Sequence, residues 1–319
     1  MNMSHLAKKL GVSVATVSKA FSGSREISEK TREKIFAEAR KCGCYSKYIE
    51  KYCDKPVIGV ICPEFESGYY SAHLGVMNKE IEKRGARMIV VATEFDATKV
   101  NAIVAFFVNV VKVAGIITYS AQDCPDAKVP IVSIGMNRSA DASISLSNDK
   151  AFLQAVEHFT ENGHTKIAFI ADHLTKKSKS RFEDILHKKG LPVVDEYDIS
   201  TDLRFELAGY EVMNKLFECK KPPTAILAAY DSIAIGAMKC IYEHNKKIPD
   251  DISIIGMNDN RESKYLEVSL TTITSYNEDL GQIVVEELFS QIDGSGTTHK
   301  QIKLANELIK RGSVGKVKE

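Results

Sequence analysis

The sequence predicts a two-part chain: a small all-α helix-turn-helix head, then a larger α/β body built on parallel sheets. Three observations predict it. Residues 1–53 carry eight Lys and three Arg against five acids, a net of +6, whereas the whole chain of 319 residues is only +1. The first 45 residues show helical periodicity broken at Gly11 and Gly43. From Val57 onward, apolar runs of five to eight residues alternate with amphipathic stretches of ten to sixteen. That alternation belongs to strands covered on both faces by crossover helices.

Composition narrows the class. The chain is too long for one typical domain, and its 44% hydrophobic and 27% charged residues are ordinary for a globular protein. No run of 18 apolar residues occurs, so no membrane-spanning helix is expected. The start, "MNMSHLAKKLGVS", lacks an apolar segment and a small-residue cleavage site, so the cytoplasm is the expected compartment. Seven cysteines at irregular spacing are expected to stay reduced there. A basic head on an acidic body suggests a nucleic-acid partner for the head.

Leu6, Ala7 and Leu10 make an apolar face, and Gly11 ends the first helix. Ser13 is a suitable N-cap for a second helix, with Val14, Val17 and Phe21 expected to face inward. Ala15, Thr16, Ser18, Lys19 and Ser22 are left outward, mostly small or short polar residues that let a helix approach a groove closely. Thr16 and Ser18 suit phosphate oxygens, and Lys19 suits a guanine edge. Ser28 caps a third helix, in which Ile35, Phe36 and Ala39 pack.

These blocks, "GVSVATVSKAFSG" and "ISEKTREKI", resemble the head of the lactose-repressor (LacI/GalR) family of bacterial transcription regulators. Ala7, Gly11, Val12, Ser13, Thr16, Val17, Ser18, Gly23, Ser28, Thr31 and Arg32 match the family pattern without a gap. Lys19 stands where the family has Arg, and Ser22 where it has Asn. The resemblance implies that Ser13, Val14, Ala15, Thr16, Ser18, Lys19, Ser22, Ser28 and Thr31 face double-stranded operator DNA. Residues 46–55 would then form the hinge, with Tyr48, Glu50, Lys51 and Cys53 at its positions. Cys53 replaces the leucine that the family wedges into the minor groove. Glu50 adds negative charge near phosphate, so weak insertion is expected.

The body runs from residue 56 to 319. "NGHTKIAFI", "AYDSIAIGAMKCIYEHNKKIPDDISIIGMND", "SLTTITS" and "ELIKRGS" are similar to the family's body markers. The resemblance implies a type I periplasmic-binding-protein-like body: two subdomains joined by three crossovers, with a cleft between them. The expected first subdomain is 56–159 plus 277–302, and the second is 160–276 plus 303–312. Gly236 is expected to let its helix pack closely on the sheet. Ser178 and Arg181 fit the family's S-x-x-R, which makes Arg181 the expected polar anchor for an effector. Ser147, Tyr230, Asn258 and Ser275 replace the carboxylates and amides that sugar-binding relatives use. Phe65, Tyr69 and Tyr70 follow the first strand, placed either to stack on a ligand ring or to pack. The expected effector is a small molecule, a sugar or sugar derivative; the alternatives are a non-sugar, a protein effector, or none.

Other classes are disfavoured. There is no G-x-G-x-x-G after a strand and no P-loop. Cys42, Cys44, Cys53 and Cys62 are spaced C-x-C-x8-C-x8-C, unlike zinc knuckles, and no cofactor or metal is expected. No nucleophile–base constellation can be assembled, so an enzyme is not expected. The same body fold also serves solute-binding proteins, but the head argues against that reading. A homodimer is expected, because palindromic sites mirror two-fold symmetry.

Overall fold

The computed structural model describes residues 3–45, 55–122, 127–137, 139–274 and 277–318. Chain contacts divide it into two units, Met1–Pro56 and Val57–Glu319.

The head holds α1 (Met3–Leu10), α2 (Val14–Phe21) and α3 (Glu29–Lys41). Gly11 turns the chain between the first two at φ +66°, a region costly for a residue with a Cβ. The Ser13 hydroxyl accepts the Thr16 amide at 2.9 Å, and Ser28 accepts that of Thr31 at 3.2 Å. Each serine thus satisfies an amide that a helix start leaves without a partner. Leu6, Ala7, Val17, Ala20, Phe21, Ile35 and Ala39 form the core, and the Phe21 and Phe36 rings lie 5.1 Å apart. A Lys9–Glu38 ion pair at 2.5 Å ties α1 to α3. Val14 departs from expectation: at the first turn of α2 it is 44% exposed, since the small core is already closed by Val17 and Phe21.

The body has two sheets. The first runs in the order β10-β5-β4-β3-β1-β2 and the second β11-β9-β8-β7-β6. The first holds β1 (Val57–Cys62), β2 (Arg87–Ala92), β3 (Gly115–Thr118), β4 (Ile131–Ile134), β5 (Ala142–Ser147) and β10 (Lys300–Ala305). The second holds β6 (Ile167–Ile170), β7 (Ala225–Ala228), β8 (Ser253–Met257), β9 (Thr271–Ile273) and β11 (Leu308–Ile309). All pairings are parallel except β11 with β9. Five helices matter below: α4 (Gly68–Lys83), α5 (Asp149–Glu161), α6 (Lys176–Lys188), α7 (Phe205–Phe217) and α8 (Asp231–Glu243).

Three expectations about the body differ in the structure. The first crossover lies just after Ser147, not near residue 159. α5 buries Ala151, Phe152, Ala155, Val156 and Phe159 in the core of the second sheet, with Phe152 5.8 Å from Phe182. The last strand of the first sheet continues to Ala305 rather than ending at 302, because its register with β5 runs to Ser147. Asn306 and Asn148 then join these two crossovers through a 2.6 Å side-chain hydrogen bond. Gly236 does not pack on a sheet: a Cβ there would lie 1.9 Å from the Glu206 carbonyl oxygen of α7. Gly209 faces α8 in the same way, 1.9 Å from the Ile233 oxygen, so the two helices meet backbone to backbone.

His164 is a structural staple. It is 1% exposed; Nδ1 lies 3.0 Å from Thr224 Oγ1, and Nε2 lies 2.9 Å from both Gly315 O and Ser253 Oγ. Burial lowers its pKa below the ordinary histidine value. The folded state therefore favours the neutral ring. Its contribution is present above the unfolded value and lost as pH falls toward the folded one. We predict a melting temperature that declines below pH ~6.5, with a shallower decline in His164→Gln, checked by thermal scans across pH. Gly236→Ala should destabilise the body by about 2–3 kcal/mol through forced helix separation, read from urea unfolding.

Candidate nucleic-acid interface and effector cleft

On the head, the outward face of α2 is small and polar, as the sequence suggests. Ala15, Lys19 and Ser22 are exposed, Thr16 and Ser18 are half-buried, and Val14 adds an exposed apolar contact at the helix start. The Thr16 hydroxyl lies 2.8 Å from Ser13 Oγ, and Ser28 and Thr31 repeat this pair at 2.8 Å. Ser22 Oγ donates to the Lys19 carbonyl at 3.1 Å. Glu26, which sequence reasoning missed, forms an ion pair with Lys19. Both groups are largely solvated, so the pair is weak and Lys19 can exchange Glu26 for a base or phosphate. The signal for Glu26 was slight: an acid in the turn seven positions after a groove-facing lysine. Tyr48, Glu50, Lys51 and Cys53, the expected hinge positions, lie outside the described residues.

In the body, the C-terminal ends of the central parallel strands meet across the cleft. Glu64 leaves β1 and Asp172 leaves β6, on opposite sheets. Between them lies Arg204, the residue before α7. Its Nη2 donates to Glu64 Oε1 at 2.9 Å and Nη1 donates to Glu64 Oε2, a two-pronged pair. Its Nε is 3.5 Å from Asp172 Oδ2. The guanidinium centre lies 4.3 Å from the Phe205 ring centroid and 5.4 Å from that of Phe95. The Glu64 hydrogen bond raises the Arg204 pKa further, against the opposing effect of desolvation. One side chain therefore links the two subdomains through charge and aromatic faces together.

Aromatic rings line the first-subdomain side. Tyr70 lies 5.1 Å from Tyr119 and 5.0 Å from Tyr69, each edge-on, and Tyr69 lies 4.3 Å from His73. His73 Nδ1 is 3.0 Å from the Tyr119 hydroxyl. Tyr230 approaches from the second subdomain, 6.3 Å from Phe205. Burial holds the Tyr69, Tyr70, Tyr119 and Tyr230 phenols above their ordinary pKa, so all four stay neutral near pH 7. Asn258 and Asp259 follow β8 with φ of 97° and 48°, and Glu94, Phe95 and Phe205 also have positive φ. Such left-handed non-glycine backbone at strand ends gathers around binding sites. Asp231 supports the loop after β8: it accepts the Asn260 amide at 2.7 Å and the Ser263 and Thr272 hydroxyls at 2.6 Å each. Burial pushes its pKa up to about 7 against those three donors.

The expected anchor, Arg181, has a carboxylate partner of its own. Arg181 lies on α6 with its guanidinium paired to Asp149 at the start of α5, both side chains about half exposed or more. The arginine that spans the cleft is Arg204. Arg181 is drawn instead to the carboxylate that the crossover after Ser147 brings beside it. Tyr69, Tyr70 and Tyr230 join the cleft's aromatic cluster, and Asn258 sits at the same strand ends. Phe65 is 53% exposed on the loop after Glu64. Ser147 ends β5 beside Asn148, and Ser275 lies outside the described residues. Glu64 and Asp172 could have been found as acids just past the ends of parallel strands, where open α/β sheets bind ligands. Arg204 carried no such signal. Among the described residues, no group of three or more His, Cys, Asp or Glu is placed to hold a metal ion. Cys62 is buried, and its thiol is pushed up to about 11 by desolvation.

A capped helix-turn-helix ahead of a two-sheet cleft defines a class of protein, the DNA-binding transcription regulators with a ligand-binding-type body. Residues 2–44 match the sequence model described as "Bacterial regulatory proteins, lacI family", and residues 156–314 match "Periplasmic binding protein-like domain". The chain thus carries a lacI-family helix-turn-helix domain and a periplasmic-binding-protein-like domain. It is 28% identical to the HTH-type transcriptional regulator MalR of Clostridium butyricum, over 98% of this chain and 99% of that one. It is also 28% identical to the HTH-type transcriptional repressor PurR of Actinobacillus pleuropneumoniae, over 97% of each. The ribose operon repressor of Escherichia coli is 24% identical over 98% of this chain and 99% of its own. Among solved structures, a lac repressor dimer bound to operator and the anti-inducer ONPF shares the fold at TM-score 0.72 and 24% identity, covering 99% of both chains. A CelR–cellobiose complex does so at TM-score 0.69 and 19% identity, covering 98% of this chain and 99% of the other. The protein is a transcription regulator rather than an enzyme, and among the described residues no helix is long and apolar enough to cross a membrane.

We predict that Glu64→Gln and Arg204→Met each lower stability by about 2–4 kcal/mol, since each leaves a buried charge without its partner. The double variant should cost far less than the sum, as read by a double-mutant cycle of urea unfolding.

Proposed function

We propose that this chain is a cytoplasmic, homodimeric repressor that holds a near-palindromic operator through α2, with operator affinity set by a small-molecule effector in the inter-subdomain cleft. The observation that carries the DNA reading is the outward face of α2, where Ala15, Thr16, Ser18 and Lys19 sit on a helix whose start is fixed by Ser13. Small side chains permit close approach, Lys19 can reach a guanine edge, and Thr16, Ser22, Ser28 and Thr31 offer hydroxyls to phosphates. The hinge segment, with Glu50 and Cys53 in place of better groove partners, supports weaker minor-groove insertion than in relatives that carry leucine there. Repression and dimerisation are supported by the names of the similar proteins, several of which are repressors, and by the dimeric lac repressor that shares the fold.

The effector reading rests on the cleft. Strand ends from both sheets, four neutral tyrosines and the Arg204 cluster converge there, and relatives of the same fold are seen with cellobiose and ribose. A ligand bridging the two halves biases their relative closure, and any difference in its affinity for the two closures is passed on to the DNA.

The test is a gel shift of the full-length protein on DNA upstream of its own gene. Lys19→Ala should weaken operator binding by about 1–3 kcal/mol and relax base preference. Thr16→Val should weaken all sequences alike. Glu26→Gln should tighten binding by releasing Lys19. Affinity and base preference left unchanged by Lys19→Ala would refute the assignment of α2 as the reading helix.

A further inference from the structure

The cleft already holds a cation, and it is the protein's own. Two carboxylates converge there, Glu64 from the first sheet and Asp172 from the second, against one guanidinium, so the cluster carries a formal charge of −1. Asp172 is 2% exposed. Its Oδ1 accepts the Leu174 amide at 3.1 Å and the Thr175 hydroxyl at 3.0 Å, while Oδ2 has no hydrogen-bond donor among the described residues, the Arg204 Nε standing off at 3.5 Å. Asp172 also lines a cavity of about 450 Å³ in the second subdomain. That cavity's charged walls are Glu183, Asp198, Asp202, Lys176 and Lys179, and Lys179 is already paired with Asp198. Neither Arg204 nor Glu64 lines that cavity, so Asp172 stands between it and the Arg204 cluster.

We propose that the effector of this protein is a small cation bearing a guanidinium or ammonium group, and that Arg204 occupies the place of that group until the effector displaces it. This rests on the reading that the body takes a small-molecule effector. The chemistry favours a cation over the alternatives. An anion taking the place of the guanidinium would meet the Glu64 and Asp172 carboxylates with no counter-charge left between them. A neutral polyol would find acceptors yet leave the buried charge uncompensated. A cation satisfies Asp172 Oδ2 and also gains the faces of Phe95 and Phe205, which already flank a guanidinium. Displacing Arg204 breaks the Glu64 link between subdomains, which couples ligand arrival to cleft geometry.

The experiment is chemical rescue on the full-length protein, followed by melting temperature. Arg204→Ala empties the place; methylguanidinium should then raise the melting temperature saturably by about 2–4 °C, and methylurea, its neutral isostere, should not. Adding Glu64→Gln together with Asp172→Asn should abolish the rescue. If Arg204→Ala does not fold, Arg204→Gln serves for the same comparison. On the wild-type chain, agmatine and glucosamine should stabilise more than glucose. Equal rescue by methylurea, or rescue that survives loss of both carboxylates, overturns the proposal. Stabilisation of the wild type by a neutral sugar, without rescue by methylguanidinium, overturns the charge class and leaves the effector reading standing. No stabilisation of either protein by any of these compounds overturns both.

Discussion

One connectivity constraint organises the body. The chain passes from the first sheet to the second after Ser147, returns between β9 and the helix Asn277–Ile292, and leaves again at Asn306. Each subdomain's core is therefore assembled from segments far apart in sequence. The two halves can hinge about three short links, but neither can leave. The parallel strands point their C-terminal ends at the cleft, so every loop that follows a central strand delivers its first residues there. Glu64, Asp172, Tyr230 and Asn258 are all such residues.

Against that background the Arg204 cluster has a definite physical meaning. A buried pair of unlike charges adds little net stability, since desolvation offsets most of the attraction, but losing one partner is costly. The pair thus acts more as a registration device than as glue. It specifies one closure of the cleft, in which Glu64 and Asp172 share one guanidinium and Phe95 and Phe205 flank it. The close approach of Gly68 to Asn260, where a Cβ would meet the amide oxygen at 2.9 Å, marks the same closure from another pair of loops. A ligand that competes for these contacts can reset the closure.

The head follows different physics. Its core is small, and its geometry is fixed by caps and a turn rather than by extensive burial. Ser13 and Ser28 set where α2 and α3 begin, and Gly11 sets the angle between α1 and α2. Lys9 with Glu38 pins the outer pair. What remains outward on α2 is what the core did not need, which is why Val14 ended exposed although its neighbours Val17 and Phe21 are buried. A periodicity argument treats the three alike; only the position of α1 and α3 separates them.

The sequence by itself determined the two-part organisation, the head's helices and caps, and the alternation of strands and helices in the body. Those features depend on local chemistry: capping hydroxyls, positive-φ glycines and apolar spacing act within a few residues. The tertiary structure alone decided that α5 belongs to the second core, that Gly236 serves a helix–helix contact, and that Arg204 rather than Arg181 spans the cleft. In each case the deciding partner lies far away in sequence. Phe182 packs on Phe152, the Glu206 carbonyl sits over Gly236, and Glu64 meets Arg204 across 140 positions. A motif can mark an arginine as a candidate, but which carboxylate it reaches depends on how the crossovers bring the two sheets together.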